Sequence, residues 1–321
     1  MNHYESDARE IRRLALIMAH HAKSSHSGGA LSMADILAVL YGGKLRITPQ
    51  TVDDPNRDRF LLSKGHCCAS LYAALAVHGF LDKEELCNNY GQDGTVYFSH
   101  VSHKLNGVEM SSGSLGHGLP VACGIALNGK VKGLDYDTYV LTGDGELDEG
   151  SCWEAIMFAA QQHLSHLCLI VDYNKIQSLG NVADICDLSP LADKFRAFNW
   201  NVIEIDGHNY DEIAQAIDLF QHKMFNGPSS ARPKGACYPL ELVRLPEQER
   251  DARMVNGQWS MVNGQSSMVN GQSSMVNAPR PTVIIANTIK GKGVSYMEGE
   301  LLWHYRNPND EQLKQALEEL A

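Results

Sequence analysis

The segment from Thr138 to Asp172 leaves this chain few folds to choose from. Thr138-Tyr-Val-Leu-Thr142 is an apolar run with β-branched ends that stops at Gly143-Asp144-Gly145. A stretch with helical spacing follows, Trp153 to Gln162, and then a second apolar run, Leu167-Cys-Leu-Ile-Val-Asp172. Runs without polar alternation suit strands covered on both faces, and two of them joined through a helix read as parallel neighbours. The alternation continues through a helix (Leu191 to Phe198), a strand (Asn201 to Ile205), a helix (Asp211 to Phe220) and a strand (Thr282 to Ala286). The expected class is α/β: a doubly wound, mostly parallel sheet with helices on both faces.

Upstream, Ile11, Leu14, Leu16, Ile17 and Met18 recur at helical spacing, a polar turn spans Ser24 to Gly29, and a second helix is expected after Ser32. Arg59 to Ser63 reads as a short strand, Lys64-Gly-His66 as a turn and Ala69 to His78 as a helix. The glycine-rich turn Ser111 to Gly118, whose glycines permit close backbone approach to a ligand, leads into a helix over Leu119 to Leu127. Another helix is expected over Asp310 to Leu320.

From about Asn226 to Pro279 the pattern breaks. The stretch is rich in Pro, Gly, Ser and Asn and repeats Met254-Val-Asn-Gly-Gln-Trp-Ser twice more as Met-Val-Asn-Gly-Gln-Ser-Ser. Adjacent Met-Val, rather than separated a and d positions, argues against a coiled coil. Residues 226–279 are therefore expected to be an insertion in a single domain spanning 1–321.

Composition narrows the class of partner. With 44% hydrophobic and 20% charged residues, the chain has material for a substantial core. A formal charge of −11 with no basic block argues against nucleic acid or an anionic membrane as partner, and no apolar run approaches the ~20 residues that span a bilayer. The 8 cysteines include no Cys-x-x-Cys pair and follow no secretory leader, so reduced, mostly buried thiols in a cytoplasmic protein are expected.

Gly143-Asp144-Gly145 falls at a strand's C-terminal end, where parallel α/β sheets place their ligands. Glycines there let amides approach phosphate oxygens, and Asp144 can hold a hard divalent cation. After one helix and the next strand comes Tyr173-Asn174-Lys175-Ile176, again at a strand end, so Asp144 and Asn174 can share one metal. The plainer reading, a turn plus a helix-capping Asn, competes while the motif is taken alone.

In this context the pattern resembles the diphosphate-binding signature of thiamine-diphosphate enzymes. There Asp, Asn and a backbone carbonyl, here that of Ile176, hold magnesium or calcium against the cofactor. Ser25-His26-Ser-Gly-Gly29, Asp58-Arg-Phe-Leu-Leu-Ser-Lys-Gly-His66, Ser99-His100 with Val108-Glu109, and Ser112-Gly-Ser-Leu-Gly-His-Gly118 are similar to transketolase motifs. Thr288-Ile-Lys-Gly-Lys-Gly293 and Trp303-His304 match as well, and the resemblance covers nearly everything outside the insertion. It implies that His26, His66 and His100 line a channel above the thiazolium ring and stabilise ketose oxygens by hydrogen bonds. It assigns cofactor contacts to His66, Gly113, Ser114, Leu115, Gly143, Asp144, Gly145, Asn174, Ile176 and His304. Glu149 resembles the acidic residue that links the two active sites of a dimer. Departures are Ser27 and Ser114 where the family has Pro, His117 where it has Gln, and Tyr305 where a glycine is usual.

In transketolases the glutamate that activates the cofactor's aminopyrimidine belongs to a second, pyrimidine-binding domain, for which no further α/β pattern is visible here. The resemblance thus implies the N-terminal subunit of a split transketolase, working in an α2β2 assembly on sugar phosphates. Two rivals stand beside it: a two-carbon transferase for an unusual sugar of sulfo, apiose or amino type, and a binding subunit without catalysis.

Overall fold

The computed structural model describes residues 3–223 and 279–321. The Met254 to Asn277 repeats, and all of the expected insertion except Pro279, lie outside them. The apolar runs form β1 (Arg59–Leu62), β2 (Thr138–Gly143), β3 (Leu167–Tyr173), β4 (Asn201–Asp206) and β5 (Thr282–Asn287). They make one sheet in the order β1-β2-β3-β5-β4, with every neighbouring pair parallel. Gly143 stands opposite Asp172, and Asn287 opposite both Tyr173 and Asp206, so the loops after all five strands emerge at one edge.

Successive strand residues face opposite sides, and both sides are covered. On one, Val140, Leu169, Val171, Val283 and Ile285 pack against helices α6 (Gly118–Lys132), α7 (Gly150–Gln161) and α9 (Leu191–Ala197), through Leu119, Cys123, Ile156 and Phe195. On the other, Tyr139 meets Phe220 of α10 (Tyr210–Gln221) at 5.3 Å between ring centroids. There α10 also packs on α3 (Ala34–Val39), and α1 (His3–His21) packs on α3 and α4 (Cys68–Val77). The α/β class with helices on both faces is what the alternation predicted. Of the described cysteines, which are free, Cys67, Cys68, Cys123, Cys152 and Cys168 are buried, Cys87 is partly covered and Cys186 is exposed. No described helix is long and apolar enough to cross a membrane.

Three helices depart from the expectation. The turn expected over Ser24 to Gly29 gives way at Ser27, where α2 (Ser27–Ser32) begins. Its glycines serve packing rather than a turn: a Cβ at Gly29 would lie 2.9 Å from the Cys67 sulfur, and one at Gly28 would lie 3.0 Å from Lys290 Cγ. Close tertiary contact thus outweighs glycine's poor helix propensity. Helix α5 (Lys83–Asn89) was not legible because only Leu86 is buried; it rests on Asp82, whose side chain caps the Glu85 amide. The single-turn α8 (Val182–Ile185) buries only Val182.

Two buried carboxylates tie these layers together. Asp172, at the end of β3 and fully buried, accepts hydrogen bonds from Lys64 after β1, from Ser32 of α2 at 2.6 Å and from Thr288 after β5. Burial alone would raise its pKa, but the Lys64 ammonium and these donors hold it below the usual carboxylate value. Asp35 of α3 takes both terminal nitrogens of Arg12 from α1, at 2.9 and 2.6 Å, and the Tyr210 hydroxyl of α10 at 2.8 Å. Against the cost of burial, His208 and Arg12 hold its carboxyl well below 3.8.

Removing one partner of the Lys64–Asp172 pair leaves a buried charge alone. Lys64→Met is expected to lower unfolding free energy by roughly 3–5 kcal/mol, and the double variant Lys64→Met/Asp172→Leu to recover much of that, in urea titrations. Because the folded-state pKa of Asp35 is depressed, its contribution is complete above the unfolded value and lost as pH falls. The decline in stability from about pH 5 to about pH 3 should be shallower in Asp35→Asn than in the parent chain.

Candidate functional site

The loops after the strands converge at the C-terminal edge of the sheet. After β2, Asp144 turns inward, is 3% exposed, and accepts hydrogen bonds from the amides of Gly145 at 2.7 Å and Lys175 at 2.6 Å. The second bond requires the left-handed backbone of Lys175, φ 68°, an uncommon conformation for a residue with a side chain. Asn174 folds its side-chain oxygen back onto the Ile176 amide at 3.2 Å. Asp144 and Asn174 thus follow the ends of adjacent strands, and the Lys175 amide ties the two loops together. The Ile176 carbonyl accepts from Lys290 Nζ at 2.9 Å.

Burial, with the nearby Asp172 charge, pushes the Asp144 carboxyl up to about 6. A buried carboxylate, with the Asn174 amide oxygen and the Ile176 carbonyl oxygen on the loop of the adjacent strand, supplies the oxygen donors that suit a hard divalent cation. Among the described residues no group of three His, Cys, Asp or Glu side chains is placed to hold a metal. Any cation here thus depends on amide and backbone oxygens.

Over these loops sit four imidazoles. His26 and His66 lie 4.9 Å apart between ring centroids, His26 and His304 4.9 Å, His66 and His304 5.8 Å, and His26 and His100 6.2 Å. His26 occupies the left-handed region, φ 72° and ψ 17°, immediately before α2, and its amide donates to the His304 carbonyl at 3.1 Å. Such strain in a β-carbon-bearing residue, held by surrounding structure, is characteristic of functional positions. Ser25 Oγ lies 2.9 Å from His26 Nδ1, and Lys290 Nζ lies 3.2 Å from His304 Nδ1. His100 is exposed at the rim, on a loop held by Tyr72, whose hydroxyl donates to the His100 carbonyl and accepts from the Ser102 amide, both at 2.8 Å.

Burial first, then neighbouring groups, with Lys64 acting on all three and Lys290 on His26 and His304, lowers His26 to about 4, His66 to about 2 and His304 to about 3. Near neutral pH each of these three rings is therefore uncharged, with one N–H to donate and one nitrogen to accept. The Lys290 ammonium donating to Nδ1 makes the other His304 nitrogen the N–H donor. Burial and the Lys64 charge bring Lys290 itself down to about 8.

The remaining predicted residues spread around this centre. A Cβ at Gly113 would be 3.2 Å from His100 Cδ2, so turn and ring lie against each other. Leu115 is half-buried, while Ser114 and Glu149 are exposed. The acidic side chain that ties the Ser111 to Gly118 turn down is Glu146, which sequence reasoning missed. Glu146 is 2% exposed, and its carboxylate accepts from Ser63, from the Gly116 amide at 2.9 Å and from the Gly143 amide at 3.3 Å. Also missed were Lys290, Lys64 and Asp172. Both lysines lie inside recognisable motifs, and Asp172 is a lone carboxylate ending an apolar strand, which is a readable signal.

Residues 4–229 match the family described as "Transketolase, thiamine diphosphate binding domain". The 6-deoxy-6-sulfo-D-fructose transketolase subunit SqwG of a Clostridium species is 36% identical over 317 residues, covering 98% of this chain and 95% of its own length. An apulose-4-phosphate transketolase subunit of Phocaeicola vulgatus is 32% identical over 317 residues, covering 99% and 93%. Among solved structures, the transketolase of Campylobacter jejuni superposes with a TM-score of 0.78 at 27% identity, covering 100% of this chain and 43% of the other.

Three of the four clustered rings are held neutral. Their resonances in a histidine NMR titration should stay fixed from about pH 5.5 to about pH 7, and those of His304 should move above that as Lys290 loses its proton; a midpoint between about pH 6 and about pH 7 in any of the three overturns the assignment.

Proposed function

The chain belongs to the transketolase family, as its thiamine diphosphate-binding domain, and from that membership we propose that it is the N-terminal, diphosphate-binding subunit of a two-chain transketolase. The observation that carries the reading is the gathering of His26, His66, His100 and His304, joined through Lys290 to the Ile176 carbonyl on the loop that follows β3. The relatives whose own lengths are nearly covered are both named as subunits, and the chain spans 43% of the single-chain Campylobacter enzyme. The whole domain, with 226–279 as its insertion, is taken to serve one cofactor.

When bound, thiamine diphosphate supplies the nucleophilic carbon and the electron sink needed to cleave the bond beside a ketose carbonyl. Asp144, Asn174 and the Ile176 carbonyl would hold magnesium or calcium against its diphosphate, with amides from Gly143 to Gly145 as anion partners. Ser114, Leu115 and Gly113 would border the cofactor, and Lys290 and His304 would face its anionic end. His26, His66 and His100 would donate to the ketose oxygens, where neutral imidazole N–H groups stabilise the oxyanion that develops as the bond breaks. The activating glutamate would come from a partner subunit carrying the pyrimidine-binding domain, in a cytoplasmic α2β2 assembly, with Glu149 linking its two active sites.

A second reading concerns the sugar. Ser27, Ser114, His117 and Tyr305 all depart from the usual motifs. The Clostridium and Phocaeicola relatives are named for a sulfonated ketose and for apulose 4-phosphate. A donor other than a common pentose phosphate fits both observations. A subunit serving only as a binding module is disfavoured, because Asp144, Asn174 and the three histidines proposed to contact the ketose are all present.

Two measurements test the proposal. Ketol transfer with thiamine diphosphate and magnesium should appear only when this chain is mixed with its partner subunit; strong turnover by the chain alone overturns the two-chain reading. At a hundredfold excess over Kd, cofactor and magnesium should stabilise the assembly by about 2.7 kcal/mol in thermal denaturation, and Asp144→Asn should remove most of that.

A further inference from the structure

Beyond the cofactor loops, the sequence Gly207-His208-Asn209 follows β4 and takes no direct part in the site. Its backbone is laid against the loop after β5. The Gly207 amide donates to the Asn287 carbonyl at 2.8 Å, and a Cβ at Gly207 would come within 2.4 Å of Thr288 Cγ2. The next residue bridges two layers of the molecule. His208 Nδ1 lies 2.7 Å from Asp35 Oδ2, and the Ile289 amide donates to His208 Nε2 at 2.8 Å. A backbone N–H at Nε2 makes that nitrogen the acceptor, so Nδ1 carries the proton and donates to the carboxylate. Asp35 is in turn held by Arg12 from α1 and Tyr210 from α10. The imidazole is thereby clamped at one end to a buried ion pair and grips the chain at the other end.

The gripped residue immediately precedes Lys290, whose Nζ reaches both the Ile176 carbonyl and His304 Nδ1. We infer that His208 is a positioning residue which, through the Ile289 amide, holds the Lys290 side chain at the Ile176 carbonyl and His304. It touches neither reacting atoms nor cofactor; it acts through the backbone it fixes, in the manner of groups behind a first layer of ligands. The value of this to catalysis rests on the proposed place of Lys290 at the cofactor's anionic end.

Two substitutions separate the halves of the bridge. His208→Asn keeps an amide where Nδ1 was and can still donate to Asp35, but it falls short of Ile289. His208→Gln extends its terminal amide to the place of Nε2, where the oxygen can accept from Ile289. The readouts are hydrogen exchange of the Ile289 amide and the rate of reductive methylation of Lys290, both followed by mass spectrometry on the full chain without cofactor. In His208→Asn, exchange and methylation should each rise by about tenfold, the scale of one lost hydrogen bond, while His208→Gln stays near the parent chain. Equal behaviour of Asn and Gln, or faster exchange at Ile289 with unchanged labelling of Lys290, overturns the inference. In the assembled enzyme His208→Asn should raise the KM for thiamine diphosphate with kcat little changed, and His208→Gln should restore it; an unchanged KM overturns the link to the cofactor. Should the parent assembly show no ketol transfer, the proposed function fails while the two cofactor-free readouts still decide the role of His208.

Discussion

The Asp172 carboxylate is the fixed point of this structure. A strand buried on both faces ends in a charge that no solvent reaches, and the chain answers by bringing Lys64, Ser32 and Thr288 to it from three different segments. Each of those donors sits beside a residue of the site. Lys64 precedes Gly65-His66, Ser32 closes the helix that begins after His26, and Thr288 lies two residues before Lys290. The network thus fixes the mutual positions of loops that otherwise share no sequence neighbourhood. Buried ion pairs seldom add much to stability over an apolar replacement, so the arrangement is better understood as specifying geometry.

What the sequence made legible follows the same division. The sheet could be read because its strands are uninterrupted apolar runs with helical patterns between them, and Asp144 and Asn174 could be paired because parallel neighbours bring their ends together. Helix α5 could not, since one buried leucine gives no periodicity, and α2 was masked by two glycines that ordinarily mark a turn. In the site, His26, His66, His100 and His304 were found through motifs similar to a known family. Glu146 was not singled out, because nothing in the order Gly-Glu-Leu-Asp-Glu tells which carboxylate a 3₁₀ turn will carry inward. Lys290 and Lys64 lie inside those same motifs, but only three-dimensional packing shows them buried and paired.

The histidine cluster illustrates how burial chooses chemistry. Four imidazoles close together would repel one another if charged, and their enclosure beside two lysines removes three of those charges. What remains is a surface of neutral donors and acceptors, suited to a polyhydroxylated ligand that needs hydrogen bonds in several directions. The left-handed backbone at His26 costs conformational energy, offset by the hydrogen bond that its amide N–H donates to the His304 carbonyl, which holds the two rings face to edge.

The order of strands carries a consequence for how the sheet can form during synthesis. β5 enters between β3 and β4, so Ile170 pairs with Ile284 and Ile203 pairs with the same residue from the other side. Among the described strands β4 has β5 as its one neighbour, so it gains a hydrogen-bonded partner only after the last of them in sequence has been made. A nascent chain that has not yet reached Thr282 holds β3 and β4 with facing edges unpaired, and the loops of the site come into register only when β5 slides between them.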